Sequence, residues 1–252
     1  MKSDRSLPWR YFLQDRIRQE VDFSRTGQNL GTQPPPIQKP HPPDARTHTL
    51  PDPRKQAPVL SLASALASRR SLRTYQDTPL AASALSFLLW SAQGINDPTR
   101  APYHRTAPSA GGRHALETYL AVQNAEDLET GLYRYLPLDH ALLALESPSD
   151  LSFRLFAACL GQRFVQRASV VFLWSAVYDR MAWRYGEASA KVIALDAGHA
   201  CQNVCLASEA VGAGACPIAA YHQDLCDTLL SLDGHDEFVV YLAAVGSRLS
   251  KR

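Results

Sequence analysis

Residues 189–211 contain no proline and a single glycine, and their apolar positions (Val192, Ile193, Leu195, Ala197, Ala200, Val204, Ala207 and Val211) nearly cover a helical circumference. A surface helix keeps one polar stripe, so this pattern predicts a long helix buried on most sides. Gly212 and Gly214 stop it, and residues 215–218 leave the turn as extended chain. Strands are expected at 116–122, 131–135 and 140–145, and the continuously apolar runs 168–176 and 238–245 read as strands buried on both faces. Helices are expected at 59–68, at 83–93 with Ser83 as its cap, and at 151–160, 178–185 and 223–230. The two element types mix without strict strand–helix–strand alternation, which favours an α+β fold over a doubly wound sheet.

The first 57 residues follow another pattern. Residues 1–29 read as a short polar helix and a tail, with Trp9, Tyr11, Phe12 and Ile17 available for docking. Nine of the seventeen prolines then fall between Pro34 and Pro58, so this stretch is expected to run extended across a surface. The chain therefore divides into an arm, 1–57, and a globular domain, 58–252. A net charge of +2 with both signs interspersed gives no reason to expect nucleic acid. No apolar run reaches 18 residues, so no membrane helix is expected, and the charged N-terminus lacks a signal core. Five cysteines, an odd number set mostly in apolar text, point to reduced thiols and a cytoplasmic setting. Cys201 and Cys205 lie four apart, but no second His/Cys pair accompanies them, so they read as small core residues and no metal site is expected.

Three stretches carry chemistry. Arg69, Arg70, Ser71, Arg73 and Thr74 follow an apolar helix directly, a placement that suits a bound phosphate or a solvated charged turn equally. Residues 105–113 form a small-residue loop whose backbone can approach a flat or anionic ligand, flanked by Arg105 and Arg113. Arg180, Trp183, Arg184 and Tyr185 sit just ahead of the long helix.

Taken in order, Arg69-Arg70-Ser71-Leu72-Arg73-Thr74-Tyr75, the loop 107–112 with Glu117 after it, and Gly131-Leu132-Tyr133-Arg134-Tyr135 with His140 resemble the nitroreductase superfamily. So do residues 196–203, Gly212-Ala213-Gly214 and Ala215-Cys216-Pro217-Ile218. Within it the text is similar to the SagB-type dehydrogenases, which include flavin subunits that oxidise thiazolines and oxazolines in modified peptides. The likeness runs over about 57–246. It implies an α+β nitroreductase-like fold, with a central mainly antiparallel sheet flanked by helices and a long buried central helix. It also implies an intertwined homodimer with FMN at the subunit interface. By resemblance, Arg69, Arg70, Ser71 and Arg73 hold the phosphate and ribityl end of FMN. Pro108, Ser109, Ala110 and Gly111 line the isoalloxazine, Pro217, Ile218 and Ala219 lie near the ring, and Arg248 is a second phosphate ligand. A substrate C–H would pass hydride to flavin N5 while a nearby group handles the proton. Azoline-oxidising members carry a Lys-Tyr pair for that step, whereas this chain has Arg184-Tyr185, and a guanidinium cannot act as a base. Tyr185 is then the proton donor or relay, Arg184 an anion-binding group, and His199 the next candidate. The implied activity is an FMN-dependent dehydrogenase or oxidase on a peptide or natural-product intermediate, reoxidised by oxygen, with a biosynthetic partner enzyme compatible with it. An NAD(P)H-dependent nitro or quinone reductase and a flavin-poor scaffold subunit are the alternatives.

Overall fold

The computed structural model describes residues 11–55, 58–97, 99 and 104–249; Trp9 and the boundary residue Ala57 lie outside them. The helices are α1 Ile17–Glu20, α2 Leu62–Ser68, α3 Ala82–Gln93, α4 Leu151–Ala158, α5 Tyr178–Tyr185, α6 Ser189–Ala210 and α7 Gln223–Leu229. The strands are β1 Thr47–Thr49, β2 Ile95–Asp97, β3 His104–Arg105, β4 Leu116–Val122, β5 Gly131–Leu136, β6 Ala141–Ala144, β7 Val170–Val177, β8 Ala213–Ile218 and β9 Glu237–Ser247. Seven of them make one sheet in the order β1-β6-β5-β4-β7-β9-β8, and β2 and β3 pair separately. Every neighbouring pair in the large sheet is antiparallel.

Successive side chains on a strand point to opposite faces, and here both faces are covered. Leu116, Leu120, Val122, Phe172, Trp174, Ala243 and Val245 pack with α3 and α6 on one side. Tyr119, Ala121, Val171, Leu173, Leu242 and Ala244 pack with α4 and α7 on the other. This two-sided burial explains why β7 and β9 are almost continuously apolar.

Two sequence expectations need correction. Helix α3 begins at Ala82 and has no local side-chain cap; the Ala82 N–H donates instead to the Glu126 carboxylate, 3.2 Å away, from a distant loop. Helix α2 begins at Leu62, after Ser61 accepts from the Ser64 N–H at 3.1 Å, and Val59 and Leu60 stay outside it. Helix α6 is buried on most sides within its own chain, as expected, with one exposed stripe of Ala190, Ala194, Leu195, Gly198, His199 and Gln202, where Leu195 is 53% exposed. These positions recur at helical spacing, and of the apolar residues that predict the helix Leu195 alone is exposed.

The proline arm is tied to the sheet. Strand β1 pairs with β6 at the edge. Upstream, Lys39 donates its N–H to Glu117 at 2.7 Å and its ammonium to Glu237 at 2.5 Å. Arg105 and Arg134 donate to the carbonyls of Ile37 and Pro40 at 2.6 and 3.0 Å. Glu117 also takes Arg180 at 2.6 Å, and Glu237 takes Tyr119 and Ser175 at 2.8 and 2.6 Å. Buried carboxylates persist when paired in this way.

Candidate active site

Residues 69–75 cross the β8–β9 end of the sheet. The Leu72 N–H donates to Ala215 on the edge strand β8 at 3.0 Å, and the Gln76 N–H to Ser247 at the end of β9 at 2.9 Å. Two glycines permit the approach: a Cβ on Gly214 would stand 2.3 Å from Leu72, and one on Gly246 would stand 2.6 Å from the Tyr75 ring. The Tyr75 hydroxyl donates back to Leu72 at 2.7 Å. Around this fixed backbone Arg70, Ser71 and Arg73 are exposed and Arg69 is half-buried. Arg70 turns back to the carbonyls of Ala67 and Arg69, and Arg73 lies over the Phe164 ring at 5.8 Å. Arg69 and Arg73 enter no ion pair among the described residues. The Cys205 thiol is held low by its hydrogen bond with Cys201, against the effect of burial, and the charge of Arg69 adds to the lowering. Both cysteines are buried in the core, and no group of three metal-ligating side chains gathers among the described residues. Pro217 and Ile218 follow on β8, an edge strand where a residue without an N–H is tolerated, and Ala219 comes directly after. Arg248 lies past the end of β9, ion-paired with Glu209 of α6.

The loop 108–112 is built at the other half of α6. Asp196, 5% exposed, accepts from the Ala110 N–H with both carboxylate oxygens at 3.2 Å and bonds the Ser109 hydroxyl. Burial raises its carboxyl pKa above the usual value, while those bonds and His199 pull the other way. Ser109 also accepts from the His114 N–H at 2.9 Å. Gly111 has φ 59°, and a Cβ there would meet Arg184 Cδ at 2.6 Å and the Tyr185 hydroxyl at 2.8 Å. Glycine is thus needed twice over, for its dihedral and for the space that Arg184 and Tyr185 occupy. Arg18 of α1 lies over the Tyr185 ring at 5.3 Å and Arg184 at 5.7 Å, and Arg113 stacks on Trp183 at 4.5 Å.

The structure therefore joins Pro108, Ser109, Ala110 and Gly111 to Arg184 and Tyr185, and sets Arg69, Arg70, Ser71 and Arg73 beside β8. No hydrogen bond, ion pair or ring contact joins the two groups among the described residues. On α6, Asp196, which bonds the loop, and Cys205, which feels the charge of Arg69, are nine residues apart in sequence, about 13 Å along the axis at 1.5 Å per residue. His199 lies between them on the open stripe, and no contact joins it to Tyr185 among the described residues. Trp183 and Asp196 lie in stretches that the sequence singles out, but their contacts were not foreseen, and Arg18 of the arm carried no sequence signal.

Residues 66–247 match the nitroreductase family. A nitroreductase-named protein of Methanocaldococcus jannaschii is 30% identical over 190 residues, 75% of this chain and 92% of its own. Trifolitoxin-processing protein TfxB of Rhizobium leguminosarum bv. trifolii is 27% identical over 133 residues, 51% of this chain and 36% of its own. A solved nitroreductase of Ralstonia eutropha superposes with TM-score 0.69 at 27% identity, over 88% of this chain and 97% of its own. A chain of the E. coli microcin synthetase McbBCD complex, solved with truncated pro-MccB17 bound, superposes with TM-score 0.62 over 99% of both chains; at 15% identity that likeness is one of fold. Both clusters fall inside the matched span, with Arg248 just beyond it. This chain belongs to the nitroreductase family.

Proposed function

We propose that the chain is an FMN-dependent dehydrogenase or oxidase acting on a peptide or natural-product intermediate. Members of the family typically use FMN, and the residues present suit it. Arg69 and Arg73 offer charge without a carboxylate partner and Ser71 an exposed hydroxyl, a donor set that matches a phosphate and ribityl chain. Residues 108–111, Pro217 and Ala219 offer small side chains and backbone to a flat ring, while the Ile218 side chain is buried in the core and leaves only its backbone for that role. The exposed stripe on α6, with Leu195 53% exposed, supports a second copy packed there and a cofactor shared between the two. FMN, when bound, supplies two-electron acceptance from a substrate C–H. Tyr185, held by Gly111 at the edge of that site, donates or relays the proton, and Arg184 orients an anionic group. Arg248, engaged with Glu209, is a second phosphate ligand only if that pair opens.

The observation that carries this reading is the packing of Arg184 and Tyr185 into the space left by Gly111. TfxB, named for trifolitoxin processing, and the McbBCD fold likeness, which extends over the arm as well as the family span, favour a peptide-modifying role over a general reductase. The test is an absorbance spectrum followed by anaerobic mixing with NADH and NADPH. A yellow protein that neither nucleotide reduces quickly is the expected result. Rapid bleaching by NADPH or NADH would move the chain among the reductases, and a colourless protein that takes up no added FMN would remove the flavin reading.

A further inference from the structure

We infer that the arginines around Tyr185 form a receptor for an anionic group, a carboxylate or a phosphate, on the molecule that reacts there. This rests on the reading above only in taking the Tyr185 side of the loop as the substrate side. Arg18 and Arg184 both lie over the Tyr185 ring, and Arg113 lies over the neighbouring Trp183. Arg18 has Asp15 at 2.8 Å, but Arg113 and Arg184 enter no ion pair among the described residues. Arg113 spends its Nε on the Arg180 carbonyl at 3.2 Å, and Arg180 spends its charge on Glu117. The terminal nitrogens of Arg113 and the whole guanidinium of Arg184 thus keep their donors for something else.

Half-buried cations in mutual range repel one another, and a solvated surface offers each of them a cheaper place. Burial first, and then the charges of Arg184 and Arg180, hold Arg113 below its usual pKa. Arg184 is nevertheless kept in place, since its stem fills the gap at Gly111. An anion seated between these guanidiniums relieves the repulsion and accepts their planar forks, the geometry that arginine offers and lysine does not. Trp183 adds a flat wall, fixed by its indole N–H on the Thr32 carbonyl at 3.0 Å.

The test uses the full chain, with flavin content recorded from its spectrum, and calorimetric titration with benzoate, benzamide and adenosine 2′,5′-bisphosphate. Benzoate should bind at least roughly tenfold more tightly than its neutral isostere benzamide, the scale of charge-assisted hydrogen bonds. Arg184→Gln and Arg113→Gln should each remove most of that preference, while Arg184→Lys should keep part of it and verify the fold. Tighter binding of the bisphosphate, lost in Arg184→Gln, would assign the receptor to a nucleotide phosphate; benzoate binding without it would assign it to a substrate carboxylate. Equal affinity for benzoate and benzamide, binding unchanged in both glutamine variants, or no binding of either anion would overturn the inference. A colourless protein that binds benzoate through Arg184 keeps this receptor and loses the flavin; a yellow one that binds neither anion does the reverse.

Discussion

Tyr185 meets the candidate loop through its hydroxyl, and that contact makes its role separable from packing. Tyr185→Phe keeps the ring beneath Arg18 and removes only the hydroxyl. It should slow flavin reduction by at least ~10²-fold, the scale of a lost general acid or base, with flavin still bound. Single-turnover reduction at the wild-type rate would make the tyrosine structural and pass the proton step to His199. Asp196 gives a second residue-scale expectation. Burial raises its carboxyl from 3.8, so over a window starting there the folded protein holds a proton that the unfolded chain has released. Stability should therefore fall as pH rises through that window. Asp196→Asn, which keeps one acceptor for the Ala110 N–H, should flatten the fall; urea midpoints measured across the window would show it, and an unchanged slope would discount the carboxylate.

Elements explain why a cationic run stays ordered beside a sheet edge. Residues 69–75 are held by backbone bonds to Ala215 and Ser247 and by the room that Gly214 and Gly246 leave, independently of any arginine side chain. Arg69→Ala with Arg73→Ala should accordingly leave a folded protein and remove bonds worth roughly 1.5–3 kcal/mol each to a bound phosphate. Purification of a folded, colourless double variant is the expected result, and undiminished flavin affinity would refute the assignment. Most of these elements were legible in the sequence, because two-sided burial prints continuous apolar runs on β7 and β9 and turns end at glycine. The start of α3 was not, since its cap is Glu126, a residue 44 positions away that no local pattern can reveal. Nor was the Asp196 bond to Ala110, 86 residues apart in sequence.

For the whole molecule the open stripe on α6 sets the expectation. Val204 is fully buried within its own chain, so a charge there would report on folding rather than on assembly. Leu195, 53% exposed beside Gly198, is the position that discriminates. Leu195→Glu should leave the subunit folded and shift sedimentation from dimer to monomer, with loss of flavin if the cofactor is shared. An unmodified chain that sediments as a flavin-loaded monomer would exclude a shared site. The family and its α+β architecture were legible from motifs in register along the chain. The contacts inside each cluster were not, because they join residues far apart in sequence, as Gly111 meets Arg184 and Tyr185.

The attachment of Lys39 also bears on where this protein can be cut. A chain shortened to begin at Pro58 would keep the whole family span and every candidate cofactor residue. It would also leave Glu237 without its ammonium, Arg105 and Arg134 without the carbonyls they cap, and β6 as a bare edge. An uncompensated buried charge costs about 3–5 kcal/mol, so the melting point should drop by roughly 10 °C or more, with aggregation along the uncovered strand. A shortened chain that melts within a few degrees of the full one would show the arm to be dispensable. Otherwise the folding unit begins inside the proline-rich stretch, some way upstream of the border that homology draws.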